Sequence, residues 1–312
     1  MSDKAIVLEN VSKEFKVLNR HEGLKGSIRD LFSRDYRTVR AVDDVSMTIS
    51  RGEIVGYLGP NGAGKSTTIK MMTGVLEPTS GNIEVNGIVP YKNRTRNSAG
   101  IGVVFGQRSQ LWWSLPLVES FMLLKDIYLV DDKSYSDMLE LYRSFVDIDP
   151  LLHKTVRQMS LGQRTLSDIL AAFLHDPGIV FLDEPTIGLD VSMKATIREL
   201  IKGLNKEKQT TVILTTHDMG DVDALCERIV IIDHGKKIYD NDIDHLKGFF
   251  GEYRILKVRL ADDTWEEHLI DDRKDDMMKI LNDIQSKKKI KDMKLEEIST
   301  EEVIKKIYEG GV

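Results

Sequence analysis

The sequence predicts an α/β fold organised around a parallel sheet, and three observations carry that prediction. Short β-branched runs alternate with helical stretches between residues 41 and 245. The runs at Ile179–Leu182 and Thr211–Thr215 are continuous rather than alternating, the pattern of strands covered on both faces. A glycine-rich loop, Gly59 to Ser66, lies between a strand-like run, Ile54–Leu58, and a helical run from Thr67 to Thr73.

Taken in order, residues 1–18 read as a strand at Ala5–Leu8, a turn and a second short extended piece. In residues 19–38, Leu24, Ile28, Leu31 and Phe32 repeat at helical spacing, with Lys25, Arg29, Arg34, Arg37 and Arg40 around them. That is either a surface helix on its own domain or a basic amphipathic element facing a membrane or partner. Strands follow at Ile54–Leu58, Gly100–Phe105, Ile179–Leu182, Thr211–Thr215 and Arg228–Ile232. From about 108 to 172 helical patterns replace them, which predicts a helical insert. From 246 to 312 the composition shifts: 30 of 67 residues are charged, against 30% for the chain. One strand (Tyr253–Leu260) and two helices (about 272–286 and 300–309) are expected there, the last opened by a Ser299/Glu302 capping box. Two domains are therefore expected, 1–245 and a small α+β accessory domain, 246–312.

Composition narrows the function class. The 312 residues are 41% hydrophobic and carry a net charge of −6, enough apolar content for a large core and little help for bulk nucleic-acid binding. A single cysteine, Cys226, allows no intrachain disulfide and suits a reducing compartment. No signal-peptide pattern opens the sequence, and no apolar run reaches the roughly 18–20 residues of a membrane span.

The loop Gly59-Pro60-Asn61-Gly62-Ala63-Gly64-Lys65-Ser66, with Thr67 after it, matches G-x-x-x-x-G-K-[ST]. Glycines let backbone N–H groups turn inward around an anion, and the helix N-terminus adds its positive end. Lys65 then meets the β/γ-phosphates of a nucleotide, and the Ser66 hydroxyl can ligate Mg²⁺. The apolar run Ile179–Leu182 ends in Asp183 and Glu184. Alone this is a buried strand with a polar exit. Downstream of a phosphate loop, Asp183 can hold Mg²⁺ through water and Glu184 can act as general base on an attacking water.

Met159-Ser-Leu-Gly-Gln-Arg164 lies between loop and carboxylates; Gly188-Leu-Asp190 and Thr216-His217-Asp218 come after, and Gln107 follows the strand ending at Phe105. This ordered series resembles the ATP-binding subunit of ABC transporters over residues 4 to about 245. The resemblance implies a P-loop NTPase fold of the ABC ATPase type, a RecA-like core with an N-terminal β subdomain and a helical insert. It implies an ATPase using ATP and Mg²⁺, with Gln107 sensing Mg²⁺ and the transport partner, Ser160, Gly162 and Gln163 as the signature, Asp190 in the D-loop and His217 contacting the γ-phosphate. The signature departs from the common L-S-G-G-Q: Leu161 stands in place of the first glycine. An aromatic ring is expected to stack on adenine; Phe15 is favoured and Tyr36 is the alternative.

In such a family one ATP lies between the loop of one chain and the signature of another, so a second copy or a homologous ATPase subunit is expected to complete the site. The charged tail and the series Glu184-Pro-Thr-Ile-Gly-Leu-Asp190 are similar to subunits that partner ABC-2 type export permeases. That likeness would place this chain in the cytoplasm, on the inner face of the membrane. The segment Gly106-Gln-Arg-Ser-Gln-Leu-Trp-Trp113 is similar to a subgroup associated with multidrug or viologen-type export. Trp112 and Trp113 read either as a hydrophobic hinge of the insert or as part of a groove for a permease helix. An importer ATPase is the alternative, and a soluble ABC-type ATPase acting on nucleic acid or the ribosome is a more distant one.

Overall fold

A computed structural model describes residues 3–18, 36–106, 109–249, 253–271, 274–297 and 300–308. The chain divides into two compact units, the first ending at Asp240 and the second beginning at Asn241.

In the first unit, β1 (Lys4–Leu18) pairs antiparallel with β2 (Tyr36–Ser50). Residues 4–18 thus form one long strand rather than two extended pieces. Register shifts between Leu8 and Glu14 bend it without ending it, which is how a bulged strand mimics a turn in sequence. β3 (Ile54–Leu58) leaves this sheet, α1 (Lys65–Met72) follows, and β4 (Ser80–Val85) returns to pair with β1. The amphipathic stretch expected at 19–38 lies outside the described residues up to 35; Tyr36 onward is strand.

After α2 (Arg94–Ala99) comes β5 (Ile101–Phe105). The helical insert then runs through α3 (Leu117–Ile127), α4 (Asp132–Phe145), α5 (Asp149–Leu152), a 3₁₀ turn at Val156–Gln158 and α6 (Leu161–Phe173). Fully buried Tyr142 pins α4 to α6 by donating its hydroxyl to the Leu170 carbonyl at 2.6 Å. The chain returns as β6 (Ile179–Asp183), α7 (Val191–Lys208), β7 (Thr211–Thr215), α8 (Met219–Leu225), β8 (Arg228–Asp233) and β9 (Lys236–Asp242).

The second sheet has the order β5-β6-β7-β3-β8-β9, and its first five strands are parallel. Every residue of β7 is buried, as its apolar centre Val212–Leu214 requires of a central strand. His234 and Gly235, both at positive φ, make the two-residue turn into β9. One core cluster joins Ile6, Leu8 and Ile83 of the antiparallel sheet to Ile69 and Met72 of α1 and to Val55, Tyr57 and Phe181 of the parallel sheet. α1 therefore sits between two apolar sheet faces, which fixes the loop at its N-terminus.

In the second unit, α9 (Ile243–Phe249) precedes β10 (Tyr253–Leu260), β11 (Trp265–Asp271), α10 (Met277–Lys287), β12 (Ile290–Glu297) and α11 (Thr300–Tyr308). The strands form an antiparallel sheet in the order β11-β10-β12. Leu256, Val258 and Leu260 pack with Ile270 and with Ile284 of α10. The sequence predicts one strand here; the two it hides, β11 and β12, are edge strands dense in charge, where β patterning is weakest. The Ser299 capping position lies outside the described residues.

Candidate nucleotide site

The phosphate loop is shaped by contacts that only glycine permits. Gly64 caps α1 at φ 109°, and a Cβ there would stand 2.3 Å from the Ala41 carbonyl oxygen. A Cβ on Gly59 would meet the Ile232 carbonyl at 2.5 Å. The loop is thus clamped between the β1–β2 sheet and β8. It borders a cavity of about 320 Å³ whose lining includes Asn61, Gly62, Lys65, Ser66, Asp183 and Glu184. Residues about 120 positions apart in sequence meet there because β3 and β6 both point their C-terminal ends at this edge of a parallel sheet.

Lys65 Nζ folds back to donate to the carbonyls of Gly59 and Pro60. Burial lowers the Lys65 pKa, while the carboxylates of Glu184 and Asp183 oppose that shift. Asp183 accepts a hydrogen bond from the Thr215 hydroxyl, and the Glu184 N–H donates to the Thr215 carbonyl at 2.9 Å. Glu184 takes a left-handed backbone, φ 51°, so its side chain departs from the strand direction of Asp183. His217, from the loop after β7, places Nε2 3.0 Å from Glu184 Oε1. Thr215 is a partner of the carboxylate pair that sequence reasoning missed; its position opposite Asp183 in the parallel ladder is what selects it.

The donors fit Mg²⁺. The Ser66 hydroxyl and the Asp183 carboxylate border one cavity, and both are hard oxygen ligands. Among the described residues no three His, Cys, Asp or Glu side chains cluster to hold a metal. A sparse donor set of this kind suits an ion that keeps its waters and is shared with nucleotide phosphates.

The residues expected to form the signature stand apart. Ser160 caps α6: its hydroxyl accepts from the Gln163 N–H at 3.2 Å, and the Gln163 side chain answers the Ser160 N–H at 3.3 Å. Gly162 packs so closely on α7 that a Cβ would meet Met193 Cγ at 2.7 Å. Leu161 is 47% exposed and lies near Gly188. Asp190 caps α7, accepting from the Met193 N–H at 2.9 Å. None of Ser160, Gly162, Gln163 or Asp190 borders the loop cavity. Gln107 lies outside the described residues.

Of the two aromatic candidates, Phe15 faces Val39 across the β1–β2 ladder, two residues from Ala41, which lines the cavity. Tyr36 faces Leu18 at the far end of that ladder. Neither borders the cavity itself. Trp112 and Trp113 are both exposed, and the Arg164 guanidinium stacks over Trp113 at 4.6 Å. Among the described residues no helix is long and apolar enough to cross a membrane.

Comparison with known proteins agrees with this geometry. The ABC transporter family profile matches residues 42–187. The chain is 34% identical over 215 residues to the ABC transporter ATP-binding protein NatA of Bacillus subtilis (strain 168), covering 69% of this chain and 87% of that protein. It is 30% identical to the cholesterol transporter ABCA5 of Rattus norvegicus over 86% of its own length but spans only 16% of that longer protein. The fold superposes on the dimeric bacterial ABC transporter cassette MJ0796 with a TM-score of 0.60 at 25% identity, covering 76% of this chain and 98% of that one. At this identity and coverage the chain belongs to the ABC transporter ATP-binding proteins and is an ATPase of that family.

Proposed function

We propose that this chain hydrolyses ATP to power export through a separately encoded membrane permease of the ABC-2 type, working as a head-to-tail pair with a second copy or a homologous subunit. One observation carries the pairing: the cavity gathers Lys65, Ser66, Asp183 and Glu184, while Ser160, Gly162 and Gln163 lie outside it on the same chain. Each chain then holds one half of each of two sites. The solved cassette that shares this fold is dimeric, which supports pairing.

Lys65 exchanges its loop carbonyls for nucleotide phosphate oxygens, a stronger charge-assisted contact. Glu184 orients and deprotonates the attacking water, and His217, beside it, holds the γ-phosphate end. Mg²⁺, when bound by Ser66 and Asp183, supplies neutralising charge at the phosphates. Phe15 supplies the adenine platform. The export direction rests on sequence resemblance, and the permease would hold the chain at the inner face of the membrane.

Complementation between two inactive chains tests the pairing. Lys65→Ala disables the loop half and Ser160→Arg the signature half, so each variant alone is inactive. A mixture regenerates one intact composite site, and phosphate release is expected to return. Continued inactivity in a mixture that still binds ATP would contradict the reading. ATP-dependent efflux from vesicles containing the co-expressed permease tests direction, and uptake in its place would mark an importer.

A further inference from the structure

We propose that Asp221, with Arg198, is a positioning residue for the His217–Glu184 pair, an assignment that rests on the hydrolytic reading above. Asp221 is fully buried, and a carboxylate in such a place persists only where donors surround it. Its donors come from three elements. The Arg198 guanidinium on α7 contacts Oδ1 through two nitrogens, at 2.7 and 2.6 Å. The Thr216 hydroxyl donates to Oδ2 at 3.0 Å, and the Thr186 hydroxyl donates to the same oxygen.

These donors flank the reacting groups. Thr186 lies two residues after Glu184, and Thr216 immediately precedes His217. One carboxylate oxygen therefore gathers the loop of the base and the loop of the histidine. Thr216 also accepts from the Asp218 N–H at 2.9 Å, so His217 is flanked by fixed backbone on both sides. Lys194 pairs with Asp218 and holds its carboxyl below the usual range, while Arg198 reaches the same residue at 3.3 Å. Asp190, Lys194 and Arg198 recur every fourth residue, one face of the helix start. The helix capped by Asp190 is thereby tied to the loop that presents His217. Gly220 leaves room for this: a Cβ there would approach the Arg198 guanidinium to 3.0 Å.

Thr216→Val removes the hydroxyl at nearly constant shape, and Thr216→Ser keeps it. We expect Thr216→Val to lower kcat about tenfold or more, since small misplacements near reacting groups have effects of that size. Fluorescent-ATP affinity should stay within about threefold, because the phosphate loop is untouched. Thr216→Ser should restore most of the rate. Asp221→Asn, which alters the Arg198 pair as well, should lower kcat in the same direction at unchanged ATP affinity. The proposal is overturned by Thr216→Val and Asp221→Asn rates within twofold of wild type, or by rate, ATP affinity and thermal midpoint falling together. A wild-type chain that binds ATP without turnover, alone and with its permease, would instead remove the hydrolytic reading itself.

Discussion

His217 Nε2 lies 3.0 Å from Glu184 Oε1, joining the first residue beyond β6 to the loop beyond β7. Both strands end at the same sheet edge, so the contact follows from topology rather than sequence proximity. In the proposed reaction, a carboxylate and an imidazole held this way would be oriented before ATP arrives, lowering the reorganisation required in the transition state.

His217→Ala is expected to reduce kcat by roughly 10²-fold or more, the usual span for losing a positioned polar group at the reacting phosphate. ATP affinity should change by less than about threefold, and the thermal midpoint should barely move because the side chain is half exposed. Phosphate release and nucleotide titration measure the two quantities separately.

Gly64→Ala and Gly62→Ala should differ sharply. Both glycines have positive φ, but a Cβ at 64 would strike the Ala41 carbonyl at 2.3 Å, whereas one at 62 meets nothing within 4 Å. Gly62→Ala is expected to lose about 1 kcal/mol for the left-handed backbone alone. Gly64→Ala should lose more than about 2 kcal/mol or misplace the loop and abolish ATP binding. Chemical denaturation and ATP titration of both variants test this.

Asp168 on α6 should impose a pH-dependent penalty. Burial raises its pKa to about 6, although Ser109 and Gln110 donate to it and Arg164 lies nearby. The unfolded carboxyl titrates near 4. As pH rises from about 4 through 6, the folded state must release a proton that the unfolded state has already lost, so stability falls across that window. Asp168→Asn can still accept from Ser109 and Gln110 without ionising. Its thermal midpoint should gain on wild type more at pH 7.5 than at pH 5, and a gain that grows on acidification would contradict this.

The site was legible in sequence where its parts are local. The phosphate loop is eight contiguous residues between strand and helix, and β7 centres on the apolar run Val212–Leu214. Asp183 and Glu184 follow another such run. Parts made by tertiary pairing were not legible. Thr215 became a partner of Asp183 only through the β6–β7 register, and Asp221 only through the packing of α7 and α8. β4 (Ser-Gly-Asn-Ile-Glu-Val) and the charged β11 and β12 carry too little apolar alternation to announce strands; cross-strand pairing makes them.

Sedimentation of Glu184→Gln with and without Mg-ATP tests head-to-tail pairing on nucleotide most directly. That substitution keeps the side chain's shape and removes the proposed base, so ATP should persist in the closed site. Nucleotide-driven pairing predicts a monomer without nucleotide and a dimer with Mg-ATP that retains two nucleotides per pair. A chain that binds ATP yet stays monomeric at every concentration, alone and with its permease, would contradict it.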